Sequence, residues 1–268
     1  MRCVVVLWAD KGSIMARYVR FSLFGKPSWG LASETGVQPV EHSPFDGGTP
    51  APAGSQLDWD TITLRPPTRP TKIVAIGRNY ADHAKELGHA VPDRPLLFLK
   101  PPSCLVPHGA NIVFPTGQSE IVHHEAELAL VIGRRTRNVS EADVPAHIFG
   151  YTLMNDVTAR DLQRADVQFT RAKSFDTFGP LGPWIDTDFQ PAAQRISLTV
   201  NGDTRQDAHL ADMIFKPAFL VSYVSQIMTL EQGDVITTGT PSGVGPLVPG
   251  DTVTVTIEGL GSLTNGVV

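Results

Sequence analysis

The sequence predicts an α+β protein rich in strands, with a main unit over residues 71–268 and a small β-rich appendage over residues 1–70 in front of it. Three observations lead there. Runs of strand length recur from residue 17 to residue 257, whereas a helical period is confined to a few short stretches. Residues 126–132 (Ala-Glu-Leu-Ala-Leu-Val-Ile) turn apolar on both faces, as a strand covered on both sides does. Finally, Pro66-Pro67-Thr68-Arg69-Pro70 fits neither a helix nor a central strand, because proline fixes φ and lacks an N–H donor. That run marks the boundary.

Length and composition narrow the class. A chain of 268 residues is long enough for one large domain with an appendage. At 41% hydrophobic and 18% charged it is a soluble globular chain and not a disordered one. A net charge of −5 argues against nonspecific nucleic-acid binding. Cys3 and Cys104 alone make neither a disulfide framework nor a thiolate metal cluster, so a cytoplasmic location is expected. The apolar run at residues 4–9 ends at Asp10 and Lys11, too short to span a membrane. Residues 1–14 read as an extension with little bearing on function, and Met15 starts a cleaner opening.

In chain order, residues 17–24, 29–32 and 37–41 read as short strands of the appendage, a structural or dimer-forming module. Residues 44–54 are loop. Residues 72–77 form a strand, followed by a short helix with Asn79 or Asp82 as its cap and Gly88 as its stop. Residues 96–100 read as a buried strand that Pro101-Pro102 turns. Residues 148–155 run apolar into Asp156, with a loop opening a helix after it. Residues 171–180 read as a polar loop ending in glycine. Residues 194–200 lead into the hairpin turn Asn201-Gly202. Residues 217–230 form a helix with Leu220, Val224, Ile227 and Met228 on its apolar face. The strands 234–238 and 252–257 flank a glycine-rich loop at 239–245. That loop lacks the Gly-Lys-Ser/Thr ending of a phosphate loop, but its N–H groups suit close approach to a small carboxylate.

Four places carry candidate chemistry. Glu125 and Glu127 lie on one face of their strand, about 6 to 7 Å apart at Cβ. Two buried anions so close ionise together only beside a cation; a solvated strand end is the plainer alternative. Asp156, at the end of a strand, is placed to complete a ring of carboxylates or else to cap a helix. His83 and Glu86, three apart on a short helix, face one another. Such a pair polarises a water, unless it is an incidental surface pair. Lys173 is placed to meet an anionic substrate or to be solvated.

The ordered set Gly77-Arg-Asn-Tyr80, Ala81-Asp-His83 with Glu86, Phe98-Leu-Lys-Pro101, His123-His-Glu125-Ala-Glu127, Asp156-Val-Thr-Ala-Arg-Asp161, Ala172-Lys-Ser-Phe175 and Thr238-Gly-Thr-Pro241-Ser-Gly-Val-Gly245 resembles the fumarylacetoacetate hydrolase family, short-chain branch, from about Thr71 onward. The resemblance implies a mixed β-roll core, a divalent metal (Mg²⁺ or Mn²⁺) and a homodimer. It matches metal ligands to Glu125, Glu127 and Asp156, and a His/Glu dyad to His83 and Glu86. It matches substrate contacts to Arg160, Gln163, Lys173 and Thr240. An all-carboxylate set suits a hard cation, which agrees. The activity expected is on a small 2-oxo or enolised carboxylic acid, by C–C bond hydrolysis or decarboxylation through an enolate whose charge the metal and Lys173 offset. The rival readings are a 2-hydroxyhepta-2,4-diene-1,7-dioate isomerase or tautomerase, and a non-catalytic binding protein on the same fold.

Overall fold

A computed structural model describes residues 16–268 apart from residues 87 and 89. The extension read over residues 1–14 lies outside the described residues. Ala126–Ile132 is the middle of the largest sheet, and all seven of its residues are buried. Its two faces serve two cores. Ala126, Leu128, Leu130 and Ile132 pack into the larger one, while Ala129 and Val131 join Ile73, Met154, Leu181, Ile185 and Val235 in another. This is the period of two that the sequence carries. Each fully buried leucine contributes about 2 kcal/mol by removal from water.

Across this sheet the strands run Val37–Pro39, Lys26–Ala32, Arg17–Leu23, Gly179–Asp186, Ile148–Asn155, Ala126–Ile132, Val235–Thr237, Ile73–Gly77 and Leu96–Lys100. Most neighbours are antiparallel, but Val235–Thr237 runs parallel to Ile73–Gly77, so the sheet is mixed. A second sheet, Asp203–His209, Arg195–Val200, Thr252–Ile257, Gly261–Val267 and Asn111–Ile112, shares the larger core through Ile196, Leu198, Val253, Val255 and Leu263. The helix Pro217–Ile227 closes that core with Leu220, Val221 and Val224. The turn joining the first two strands of the second sheet has Asn201 and Gly202 at φ 54° and 90°, the left-handed pair expected of Asn-Gly.

The N-terminal strands are stitched to the main sheet. Arg17 pairs with Asp186 and Tyr18 with Ile185. Val19, Phe21 and Val37 surround the fully buried Trp184. The Pro66–Pro70 run lies between strands, with Thr68 and Thr71 tied to Gly233 and Asp234.

Several local expectations are corrected. Leu96–Lys100 is a sheet edge, its apolar residues half-exposed or exposed and only Lys100 buried. Asn79 caps nothing, because its buried amide holds Thr238 and Phe215 instead. Residues 171–180 are not one loop. Lys173 ends the short helix Thr170–Lys173, and Gly179 begins a wholly buried strand. In the 217–230 segment the helix ends at Ile227, which is exposed, and Val221 takes its place in the core.

His108 offers a test of the fold away from any site. Its Nδ1 accepts the Thr264 amide at 3.0 Å, and burial pushes its pKa below the ordinary value of 6.5. The unfolded chain therefore binds a proton first as pH falls through 6.5, and native stability declines from there down to the folded pKa. His108→Asn, which keeps an acceptor and cannot titrate, should flatten this decline in thermal melts between pH 7 and pH 5, at a cost of about 1 kcal/mol or less at pH 7. An unchanged decline would place the pH sensitivity elsewhere.

Candidate active site

Strand pairing brings the three acids together. Ala126 lies opposite Asn155, so Glu125, just before one strand, meets Asp156, just after the other. The Asp156 amide donates to the Glu125 carbonyl at 2.9 Å. Asn155 adds a side-chain oxygen that accepts the Glu125 amide at 2.9 Å. Glu127 follows Glu125 on the same face. One carboxylate oxygen from each of Glu125, Glu127 and Asp156 lies within 4.8 Å of the other two, and all three residues are buried. The solvated strand end and the helix cap are both excluded. Ala159, not Asp156, occupies the cap of the helix Arg160–Ala165.

Three buried cations answer these acids. Lys173 Nζ donates to Glu125 Oε2 at 2.8 Å and to Asp156 Oδ2 at 2.6 Å. Arg160 pairs with Glu125 Oε1 and donates to Gln163 Oε1 at 2.7 Å. Lys100 Nζ lies 2.7 Å from Asp156 Oδ1, off-line for a hydrogen bond. Burial alone would raise the Glu125 carboxyl, but Arg160 and Lys173 hold it well below the usual range. Glu127 goes the other way. Burial and the charges of Asp156 and Glu125 push its carboxyl well above the usual range.

The dyad is formed. His83, buried on the helix Ala81–Glu86, has Nδ1 3.1 Å from Glu86 Oε2. Burial lowers the imidazole pKa, outweighing the nearby carboxylates, so the ring is neutral near pH 7 and able to accept a proton. The glycine-rich loop joins dyad to acids. Its amides approach carboxylates as its composition predicts, but those of the protein itself: Gly239 N–H donates to Glu127 Oε2 at 2.9 Å and Gly243 N–H to Glu86 Oε1 at 3.0 Å. At φ +87° with Asn79 Cβ 2.8 Å from where a Cβ would lie, position 239 admits only glycine without movement.

All nine residues singled out from the sequence line one cleft of about 540 Å³: His83, Glu86, Glu125, Glu127, Asp156, Arg160, Gln163, Lys173 and Thr240. Two contributors were missed. Lys100 was read as the end of an apolar strand and stands in the Phe98–Pro101 fragment of the family resemblance, but no role in the site was given to it; a lysine closing such a run before Pro101 was the available signal. Gln206 lies on a mostly exposed strand, yet is itself fully buried. Its oxygen accepts the Ala126 amide at 3.0 Å, and its amide donates to Thr240 Oγ1 and the Pro241 carbonyl at 2.8 Å each. It fastens the glycine-rich loop to the start of the acid strand. Nothing local in the sequence announces it.

The acids fit a hard divalent cation. Every donor is a carboxylate oxygen, as Mg²⁺ or Mn²⁺ prefers. Glu127 has no ion pair among the described residues, and Asp156 Oδ1 is buried without a hydrogen bond. Oxygens already bonded to lysine or arginine keep a further lone pair for a metal.

A strand-rich fold of mixed sheets carrying buried acids and a His/Glu dyad in one cleft defines a class of enzyme. The chain belongs to the fumarylacetoacetate hydrolase family: the model of the fumarylacetoacetate hydrolase C-terminal region matches residues 72–268, and that of an Rv2993c-like N-terminal region matches residues 16–67. Its fold is the strand-rich one that the resemblance implied. It is 46% identical to Protein Rv2993c of Mycobacterium tuberculosis over 242 residues, 89% of this chain and 90% of that protein. It is 47% identical over 196 residues to a mitochondrial protein of Arabidopsis thaliana named oxaloacetate tautomerase FAHD1, covering 71% and 87% of the two chains. A crystal structure of 5-carboxymethyl-2-hydroxymuconate delta-isomerase from Mycobacterium smegmatis superposes with a TM-score of 0.87 at 40% identity, over 94% of this chain and 99% of that one. Among the described residues no helix is long and apolar enough to cross a membrane.

Proposed function

We propose that this protein is a divalent-metal-dependent enzyme that acts on a 2-oxo carboxylic acid through an enolate at its keto group, reached by C–C bond hydrolysis or decarboxylation, or else by removal of a proton from the carbon beside the ketone. The observation that carries the reading is the meeting of the acids Glu125, Glu127 and Asp156 with the His83–Glu86 dyad in one cleft. A divalent cation held by the three acids supplies Lewis acidity toward the carboxylate and keto oxygens of such a substrate. The protein's own groups do the rest. With Nδ1–H given to Glu86, His83 presents Nε2 as the base. Lys173 offers its ammonium to the negative charge that develops on the keto oxygen. Arg160 and Gln163, already bonded to one another, present polar groups to the substrate beside it.

In the outcome read from the sequence the enolate arises by C–C bond cleavage: water added to a second carbonyl expels it as pyruvate enolate, or departure of CO₂ leaves it behind. In hydrolysis His83 activates water against a second carbonyl. Tautomerisation without bond cleavage is the second reading, favoured by the similarity to proteins named as an oxaloacetate tautomerase and a delta-isomerase. One experiment separates these. Oxaloacetate, acetylpyruvate, fumarylpyruvate and a hydroxy-dienedioate are each incubated with the protein and Mg²⁺ or Mn²⁺ in D₂O and followed by proton NMR. Turnover or catalysed deuterium exchange on at least one is expected, and the product names the route to the enolate. Neither exchange nor turnover on any of the four would sink the reading.

His83→Ala tests the dyad. A hydrolytic rate should fall at least about a hundredfold, the usual contribution of a general base. Decarboxylation, which activates no water, should fall less. Full hydrolytic activity in the variant would remove the dyad from the mechanism.

A further inference from the structure

Two cations in the cleft wall are not engaged by the acids beside them. Glu125, Glu127 and Asp156 are matched by Lys100, Lys173 and Arg160, all three of which are paired with Glu125 or Asp156. Two further guanidinium groups line the same cleft, Arg78 and Arg164. Neither forms an ion pair among the described residues. Arg164 is exposed at the rim, whereas Arg78 is half-buried in the wall.

Arg78 is also held in an uncommon backbone conformation. Its φ is +59°, in the left-handed region that bulky L-residues seldom adopt. The turn is clamped from the next position. Asn79 donates to the Thr238 carbonyl at 2.7 Å and the Phe215 carbonyl at 2.9 Å, and its oxygen accepts the Phe215 amide at 2.7 Å. Glycine would serve such a turn with less strain. Instead the turn displays a long cation in the cleft wall, at the end of the strand Ile73–Gly77. Strain of this kind, kept in the wall of a cleft, goes with ligand binding.

We infer that Arg78 binds a second acidic group of the substrate, with Arg164 assisting from the rim, so that the cleft selects 2-oxo dicarboxylic acids over 2-oxo monocarboxylic acids. This rests on the 2-oxo acid reading given above. A guanidinium meets a carboxylate with two parallel N–H donors, which fixes its distance from the 2-oxo end as well as its charge. The metal-holding acids and the dyad then act at one end of the substrate while Arg78 reads the other.

The test is binding, not turnover. The full chain loaded with Mg²⁺ is titrated calorimetrically with 2-oxoglutarate and with 2-oxovalerate, which share a five-carbon backbone and differ in the second carboxylate. The native protein should prefer the diacid by at least about tenfold, the worth of a charge-assisted contact. Arg78→Asn keeps a residue that tolerates the left-handed turn. It should abolish that preference, leave 2-oxovalerate within about twofold, and melt no lower than the native protein. Arg78→Lys should retain part of the preference, and Arg164→Asn should reduce it less than Arg78→Asn does. A preference that survives Arg78→Asn, or equal weakening of both acids, would overturn the inference while leaving the 2-oxo acid reading standing. Failure of both acids to bind the native protein would overturn both.

Discussion

Glu127→Gln should weaken Mg²⁺ or Mn²⁺ binding at least about tenfold, or 1.4 kcal/mol, while the metal-free protein becomes no less stable. Gln is nearly isosteric, and its side-chain oxygen can still accept the Gly239 amide that Glu127 Oε2 accepts now at 2.9 Å. What disappears is a buried negative charge. Without metal that charge is unfavourable, since burial, Asp156 and Glu125 all push the carboxyl up. A carboxyl whose folded pKa is raised leaves the native state holding a proton that the unfolded state has lost. The metal-free protein should therefore lose stability as pH rises from about 4.5 through the folded value. Gln has no such dependence, so the variant's advantage should grow with pH across that window. Melts of both metal-free proteins at pH 5 and pH 8, with calorimetric metal titrations, test this. Unchanged metal affinity would reduce Glu127 to a packing role and remove the metal reading with it.

Lys100→Met should cost about 3–5 kcal/mol, the usual penalty for stripping one partner from a buried ion pair. Lys100 is 1% exposed and Asp156 is fully buried, with Nζ 2.7 Å from Oδ1. Burial alone would lower the lysine pKa, but the charge of Asp156 outweighs it and the ammonium is held charged. Methionine fills nearly the same volume, so the loss comes from charge and not from a cavity. Domains of this kind have only about 5–15 kcal/mol in hand, so urea unfolding should move to clearly lower concentration. Adding Mg²⁺ or Mn²⁺ should recover part of the loss, because a divalent cation on the same acids replaces the missing charge. A midpoint that does not move would mean that Asp156 is balanced without Lys100.

The comparison of sequence with structure divides by how local the signal is. The buried strand Ala126–Ile132 was legible because alternation and apolarity on both faces are properties of seven consecutive residues. The Asn201-Gly202 turn was legible because φ > 0 narrows the choice of residue at two positions. His83 and Glu86 could be paired from their spacing alone. The meeting of Glu125 with Asp156 is a different matter. It depends on the register of Ala126 against Asn155, which no short window contains, so the residues gave candidates and the family resemblance joined them. Lys100 and Gln206 escaped for the same reason. Their partners are 56 and between 34 and 82 positions away, and each sits in a segment whose neighbours face outward. Edge and interior strands also read alike when both are rich in leucine, which is why Leu96–Lys100 was expected to be buried.

The seam between Arg17–Leu23 and the main sheet bears on how this enzyme can be handled as a reagent. Among the described residues only Arg17 and Tyr18 pair in register with Gly179–Asp186, but Val19, Phe21 and Val37 pack with Trp184, whose indole is fully buried, and Arg17 lies over its ring. None of the N-terminal strands lines the cleft. A chain trimmed to begin at residue 71 would keep every cleft residue, yet present an uncovered tryptophan beside an unpaired strand edge, an invitation to self-association. The N-terminal strands cover that face, and a shortened version would need it recharged before it could be concentrated.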